Sequence, residues 1–137
     1  MTYREIAREQ LKVDEGVRSK VYRDSLGIET IGCGRNLRDK GLSQREIDFL
    51  LDNDLDDAEA DCKALFPSFD TLSDARKAVL LNMAFNLGRD RLRKFAFFCG
   101  AVMAKDWKRA ADEMLDSKWA KQVGKRADRL AEQMRTG

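Results

Sequence analysis

An α+β fold, mostly helical with one small antiparallel sheet, is what this sequence predicts, and three observations carry it. The composition favours helix, with a single proline in 137 residues and many Ala, Glu, Lys, Leu and Arg. Several long segments repeat their apolar residues at three- and four-residue steps. One stretch, Glu15 to Asn36, instead alternates and is broken by glycines.

The first helix starts at Thr2, where T-x-x-E forms a capping box with Glu5, and continues through Ile6, Ala7, Gln10 and Leu11. Gly16 stops it, leaving Glu15 at its C-terminal end. The negative end of the helix dipole disfavours ionisation there, which suits a proton donor. Lys20 to Arg23 reads as a short strand. Asp24-Ser25-Leu26-Gly27 is turn chemistry, and Ile28 to Cys33 alternates again, with Ile28, Thr30 and Gly32 on one face. Such a sheet is marginal alone and must pack on helices.

Ser43 and Glu46 make a second capping box. Ile47, Leu50, Leu51, Leu55, Ala58, Cys62 and Leu65 then mark one long amphipathic helix, ended by Phe66-Pro67. A helix this long can join two lobes. Ser73 caps the next helix and Gly88 closes it. Its apolar residues surround nearly the whole circumference, which places it at the centre of a helical lobe. Asn82 and Asn86 interrupt that surface and need hydrogen-bond partners or a place in a site. Phe95 to Met103 forms a short core helix, and Asp106 or a neighbour begins another with Trp107, Ala110, Ala111, Met114 and Leu115 on one side. Residues 118–135 are basic, a solvated face or a surface for an anionic polymer or membrane.

Composition excludes several chemistries. There is no histidine, so a Ser-His-Asp triad is impossible, and the three cysteines have no zinc-ligand spacing. Cys33, Cys62 and Cys99 are odd in number and scattered, which points to a reducing compartment; Cys62 and Cys99 read as small core residues. The N-terminus is charged, and no apolar run approaches the roughly 20 residues of a membrane span, so a cytoplasmic protein without stable membrane insertion is expected. The net charge of +2 would suit an anionic partner without choosing one.

The stretch from Glu15 to Asn36 carries the chemistry. It brings an acid at a helix end (Glu15), a second acid on a turn (Asp24) and a hydroxyl on a strand (Thr30) into one glycine-punctuated element. Hydrolysis of an acetal needs such a set: one carboxyl protonates the leaving oxygen and another carboxylate directs water. Taken singly, each of these residues is more simply a surface carboxylate or a strand residue.

The order E-G-x-R-x-x-x-Y-x-D-x-x-G-x-x-T-I-G-x-G, from Glu15 to Gly34, resembles the catalytic segment of the phage-type lysozymes, glycoside hydrolase family 24. N-M-A-F-N-L-G at 82–88 resembles the family's central helix. Trp107, Ala110 and Ala111, S-K-W at 117–119, Gln122 and Arg126-Ala127 resemble its C-terminal helices. The resemblance implies one lysozyme-like domain over 1–137. It would have a β-containing N-lobe at about 15–50, a helical C-lobe from 1–14 and 60–137, and an active-site cleft between lobes joined by the long helix. It implies a muramidase that cleaves the β-1,4 bond between N-acetylmuramic acid and N-acetylglucosamine, with inversion.

By the same resemblance Glu15 is the general acid, and Asp24 and Thr30 position the attacking water, or Asp24 stabilises the transition state. Gly34, Phe85, Asn86 and Arg126 would line the substrate site, with Arg126 matching an arginine that contacts the catalytic glutamate. No cofactor or metal is implied. The partner is bacterial peptidoglycan, not nucleic acid, and a monomer is expected. The biological role implied is that of an endolysin held in the host cytoplasm until a holin gives access to the wall. This chain departs from the T-even pattern at Arg35 (histidine there), Asn36 (leucine) and Glu113 (asparagine), and its segment between Leu37 and Ser43 is shorter. Two other readings stand beside this one. A lytic transglycosylase would need Glu15 but not Asp24, and a non-catalytic helical module would bind wall or nucleic acid through the basic C-terminal segment.

Overall fold

A computed structural model describes all residues, Met1–Gly137. The α+β expectation holds: eight α-helices accompany one three-stranded antiparallel sheet. The chain divides into two compact units, Met1–Phe49 and Leu50–Gly137.

The first unit opens with α1 (Tyr3–Glu15). Its capping box is present: the Thr2 hydroxyl accepts from the Glu5 amide at 3.2 Å and the Glu5 carboxylate from the Thr2 amide at 2.9 Å. Gly16, at φ 76°, ends the helix and donates its amide to the Lys12 carbonyl. The sheet follows as β1 (Arg18–Arg23), β2 (Glu29–Gly32) and β3 (Arg35–Asn36), in sequence order. Tyr22 pairs with Thr30 and Arg23 with Glu29, and an irregularity interrupts the ladder between Arg18 and Tyr22. The alternation read from the sequence is realised, since Ile28 and Thr30 are the buried residues of this unit. By compactness α1 groups with the sheet, and none of its residues is buried.

The boundary between the units falls within α2 (Gln44–Leu65), which begins and ends where the capping box and Pro67 predict. Its apolar stripe is buried only near the end, at Ala58 and Cys62; Ile47, Leu50, Leu51 and Leu55 stay exposed. Burial in the second unit begins at Ala58, so the earlier turns lie outside its core.

That unit continues through a 3-10 turn (Phe69–Thr71), α3 (Asp74–Leu87), α4 (Arg89–Arg93), α5 (Ala96–Met103), α6 (Trp107–Leu115), α7 (Lys118–Val123) and α8 (Lys125–Thr136). Helix α6 packs on α5 and α8, and α3 packs on α8. Val79, Leu80, Met83, Leu92, Val102, Met114 and Met134 are wholly buried. The basic C-terminal segment is two helices rather than one, because Gly124 breaks it at φ 58°. Arg76 ties the last turn of α8 down: its guanidinium donates to the carbonyls of Met134 and Arg135 at 2.8 and 3.0 Å and lies over the Trp107 ring. Cys62 is fully buried, and burial together with Asp61 and Glu59 pushes its thiol up to about 12; burial raises Cys99 as well. Both behave as the core residues expected. No helix is long and apolar enough to cross a membrane.

At the start of α2, Glu46 does two jobs. One carboxylate oxygen accepts from the Ser43 amide at 2.9 Å, and the other meets the Arg35 guanidinium at 2.6 Å. Arg35 and then Ser43 hold the Glu46 carboxyl down at about 2, well below the ordinary 4.5. A carboxyl depressed in the folded state adds stability that is present above its unfolded value and lost as pH falls toward the folded one. Glu46→Gln should therefore melt at lower temperature than wild type at pH 7, and the gap should close between about pH 4.5 and pH 2. Thermal melts across that range check it; a gap that persists at pH 2 counts against the ionic origin.

Candidate active site

Glu15, Asp24, Thr30 and Gly34 all lie in the first unit. Glu15 is the last residue of α1 and is exposed, placed there by the glycine that stops the helix. Gly34 lies in the β2–β3 turn with φ 70°, a backbone that side chains adopt only with strain. Its backbone lies directly over the acid: a Cβ added at Gly34 would stand 2.9 Å from Glu15 Oε2 and 3.1 Å from its carboxyl carbon. Gly34, expected where backbone approaches the sugar, thus also lies against the Glu15 carboxyl.

Asp24 is half-buried and anchored by its own turn. Its Oδ1 accepts from the amides of Leu26 and Ile28 at 2.8 and 2.9 Å, while its own amide donates to the Ile28 carbonyl. This is the side-chain-to-backbone turn that D-S-L-G favours, and Gly27 supplies the positive φ it needs. One carboxylate oxygen is thus fixed by backbone donors, and the other is left for chemistry. Thr30 is 3% exposed, and its hydroxyl donates to the Ile28 carbonyl at 2.9 Å. With that proton committed, Thr30 Oγ1 can only accept from a further partner. Both side chains converge on Ile28, Asp24 on its amide and Thr30 on its carbonyl, so one buried residue just before β2 fixes the carboxylate and the hydroxyl together.

The other candidates lie in the second unit. Phe85 on α3 is 48% exposed and lines a cavity of about 310 Å³ with Asp54, Asp57, Ala58, Asp61 and Ala84. Asn86 accepts from the Trp119 indole at 2.8 Å, and Asn82 accepts from the Arg126 guanidinium through two bonds of 3.0 and 2.7 Å. Each asparagine on α3 thereby holds a C-terminal helix, and Arg126 has a structural partner in Asn82. Glu113, one of the departures, is half-buried and borders a different hollow beside Phe95 and Ser117.

Two features escaped the sequence reading. The aspartates bordering Phe85 share a face of α2, and the helical spacing of Asp54, Asp57 and Asp61 was the available signal. The Arg35–Glu46 pair joins a residue noted only as a departure to one noted only as a cap, and no local pattern links them.

Gly34→Ala tests the approach of the turn to Glu15. The new methyl meets the free end of a flexible side chain, so the fold can give way by moving the carboxyl. The left-handed backbone adds about 1–2 kcal/mol of strain. With Glu15 as the general acid that the sequence implies, a displacement near 1 Å costs about 10²-fold in rate, so activity should fall by that order while the protein still folds. Peptidoglycan turnover and a thermal melt on the same sample check this; unaltered turnover would show that the acid tolerates the shift.

Residues 12–135 match the family model described as phage lysozyme. The chain is 31% identical to the pre-baseplate central spike protein Gp5 of Enterobacteria phage T4, an alignment covering 94% of this chain but only 27% of the spike protein. It is 26% identical to probable T4-type lysozymes 1 and 2 of Dictyostelium discoideum, covering 95% of this chain and 94% of each.

Proposed function

The chain belongs to the phage lysozyme family, and we propose that it is a muramidase hydrolysing the β-1,4 bond between N-acetylmuramic acid and N-acetylglucosamine in bacterial peptidoglycan. The observation that carries this is the division of labour within one unit. An exposed carboxyl at a helix end sits under a glycine, beside a hairpin whose aspartate keeps one free oxygen and whose threonine can only accept. The T4-type lysozymes among its relatives support the same substrate.

In this mechanism Glu15 donates its proton to the glycosidic oxygen as the bond to the anomeric carbon breaks. A water molecule gives one hydrogen bond to the free Oδ2 of Asp24 and one to Thr30 Oγ1, which leaves a lone pair aimed at the anomeric carbon. As the water attacks, its proton passes to Asp24, and the product anomer is inverted. Asp24 then releases its proton to solvent, and solvent returns one to Glu15. No cofactor enters, since the acid and the base are both side chains.

The test is digestion of purified peptidoglycan with analysis of the new ends. Reducing muramic acid ends with the inverted anomer in the first-formed product support this mechanism. Anhydro-muramic ends would make the protein a lytic transglycosylase, and binding without cleavage would make it a wall-binding module. We further propose an endolysin role, with access to the wall through a holin. Cells producing the chain should lyse only when the inner membrane is permeabilised, and export without any partner would overturn this.

A further inference from the structure

We propose that the Arg35–Glu46 ion pair is a positioning device for Glu15, holding the Gly32–Gly34 turn against its carboxyl group; this rests on the muramidase reading above. Each link is a contact within the first unit. Gly34 covers the Glu15 carboxyl so closely that even a methyl group would displace it. The next residue, Arg35, pairs with Ile31 across the hairpin, so its backbone sets where Gly34 lies. Nη1 of Arg35 meets two acceptors, Glu46 Oε2 at 2.6 Å and the Gly41 carbonyl at 3.2 Å. Glu46 is itself immobilised, since its other oxygen accepts from the Ser43 amide and its own amide donates to the Ser43 hydroxyl.

The first turn of α2 therefore grips Arg35, Arg35 fixes Gly34, and Gly34 limits where the Glu15 carboxyl can lie. Such bracing is needed here. A three-stranded sheet in which only Thr30 is buried has little core to hold its turn in place. A two-residue strand such as β3 holds it by few ladder bonds. Glu15 is exposed and would otherwise sample many rotamers. Arginine suits the role because Nη1 carries two hydrogens and can donate to a carboxylate and a carbonyl at once. Arg35 and Glu46 act through Gly34 and take no part in proton transfer.

The test combines kinetics with a direct view of Glu15. Arg35→Ala and Glu46→Gln should each lower kcat on soluble peptidoglycan fragments roughly ten-fold, with KM changed less than about two-fold. The double variant should be no worse than either single one, because both remove the same brace. Arg35→Lys should recover part of the loss, since an ammonium can keep one of the two contacts. In protein labelled at the glutamate carboxyl carbons, the Glu15 resonance, assigned by its loss in Glu15→Gln, should move in both single variants. The proposal is overturned if the melting temperature falls while kcat and the Glu15 resonance stay as in wild type, or if the two losses in kcat simply multiply. Should wild type cleave no peptidoglycan, the resonance alone decides: movement supports the brace while the muramidase reading falls, and no movement overturns the brace too.

Discussion

Glu15→Gln is expected to lower kcat on peptidoglycan by about 10²–10⁴-fold, the range that a positioned general acid contributes. Glutamine keeps the size and shape of the side chain under Gly34 and loses only the transferable proton. Glu15 is exposed at the end of α1, so the substitution should leave stability within about 0.5 kcal/mol. Asp24→Asn is the matched experiment. Asparagine keeps an oxygen for the Leu26 and Ile28 amides, so the turn survives, but it cannot take a proton from water. Asp24→Ala would confound the two effects by also releasing the turn. Initial rates on purified peptidoglycan, with melts showing intact folds, are the measurement. A Glu15→Gln protein that retains half its turnover ends the assignment of Glu15 as the acid.

The largest effect on stability is expected in the second unit, where the buried cluster lies. Phe98 on α5 is 2% exposed within it, and Phe98→Ala should cost about 3–5 kcal/mol through lost burial and the cavity left behind. That is a large part of the 5–15 kcal/mol typical of a whole domain, and should lower the melting temperature by roughly 10 °C or more. Its neighbour provides the control. Phe97 is 69% exposed on the same helix, so Phe97→Ala should change stability by no more than about 0.5 kcal/mol. Equal losses at the two positions would mean that α5 does not face the core as described.

The legible parts of the fold were those set by neighbours in sequence. The capping boxes at Thr2 and Ser43, the start at Ser73, the stops at Gly16 and Gly88, and the end of α2 before Pro67 lie where the residues indicate. Each depends on contacts a few residues apart, which local pattern records. The same holds for the core of the β1–β2 hairpin, since the Asp24 turn and the burial of Thr30 follow from D-S-L-G and strand alternation. The apolar stripe of α2 was a weaker guide. Periodicity shows which residues share a face but not whether anything covers it, and only Ala58 and Cys62 are buried.

By itself, then, the sequence determined the long helices, the hairpin and the family, and singled out Glu15, Asp24 and Thr30 as the candidates for chemistry. Only the tertiary structure decided what those residues meet. It set Gly34 over Glu15, bound Arg35 to Glu46, and gave Asn82 and Asn86 to Arg126 and Trp119 instead of leaving them free. The physical reason is range. A hydrogen bond between α3 and α8, or from Arg76 to the Met134 carbonyl, joins residues far apart in the chain, and neither partner's neighbours carry a periodic trace of it. Such bonds exist only once burial has brought the helices together, and they in turn decide which of the polar residues remain available for chemistry.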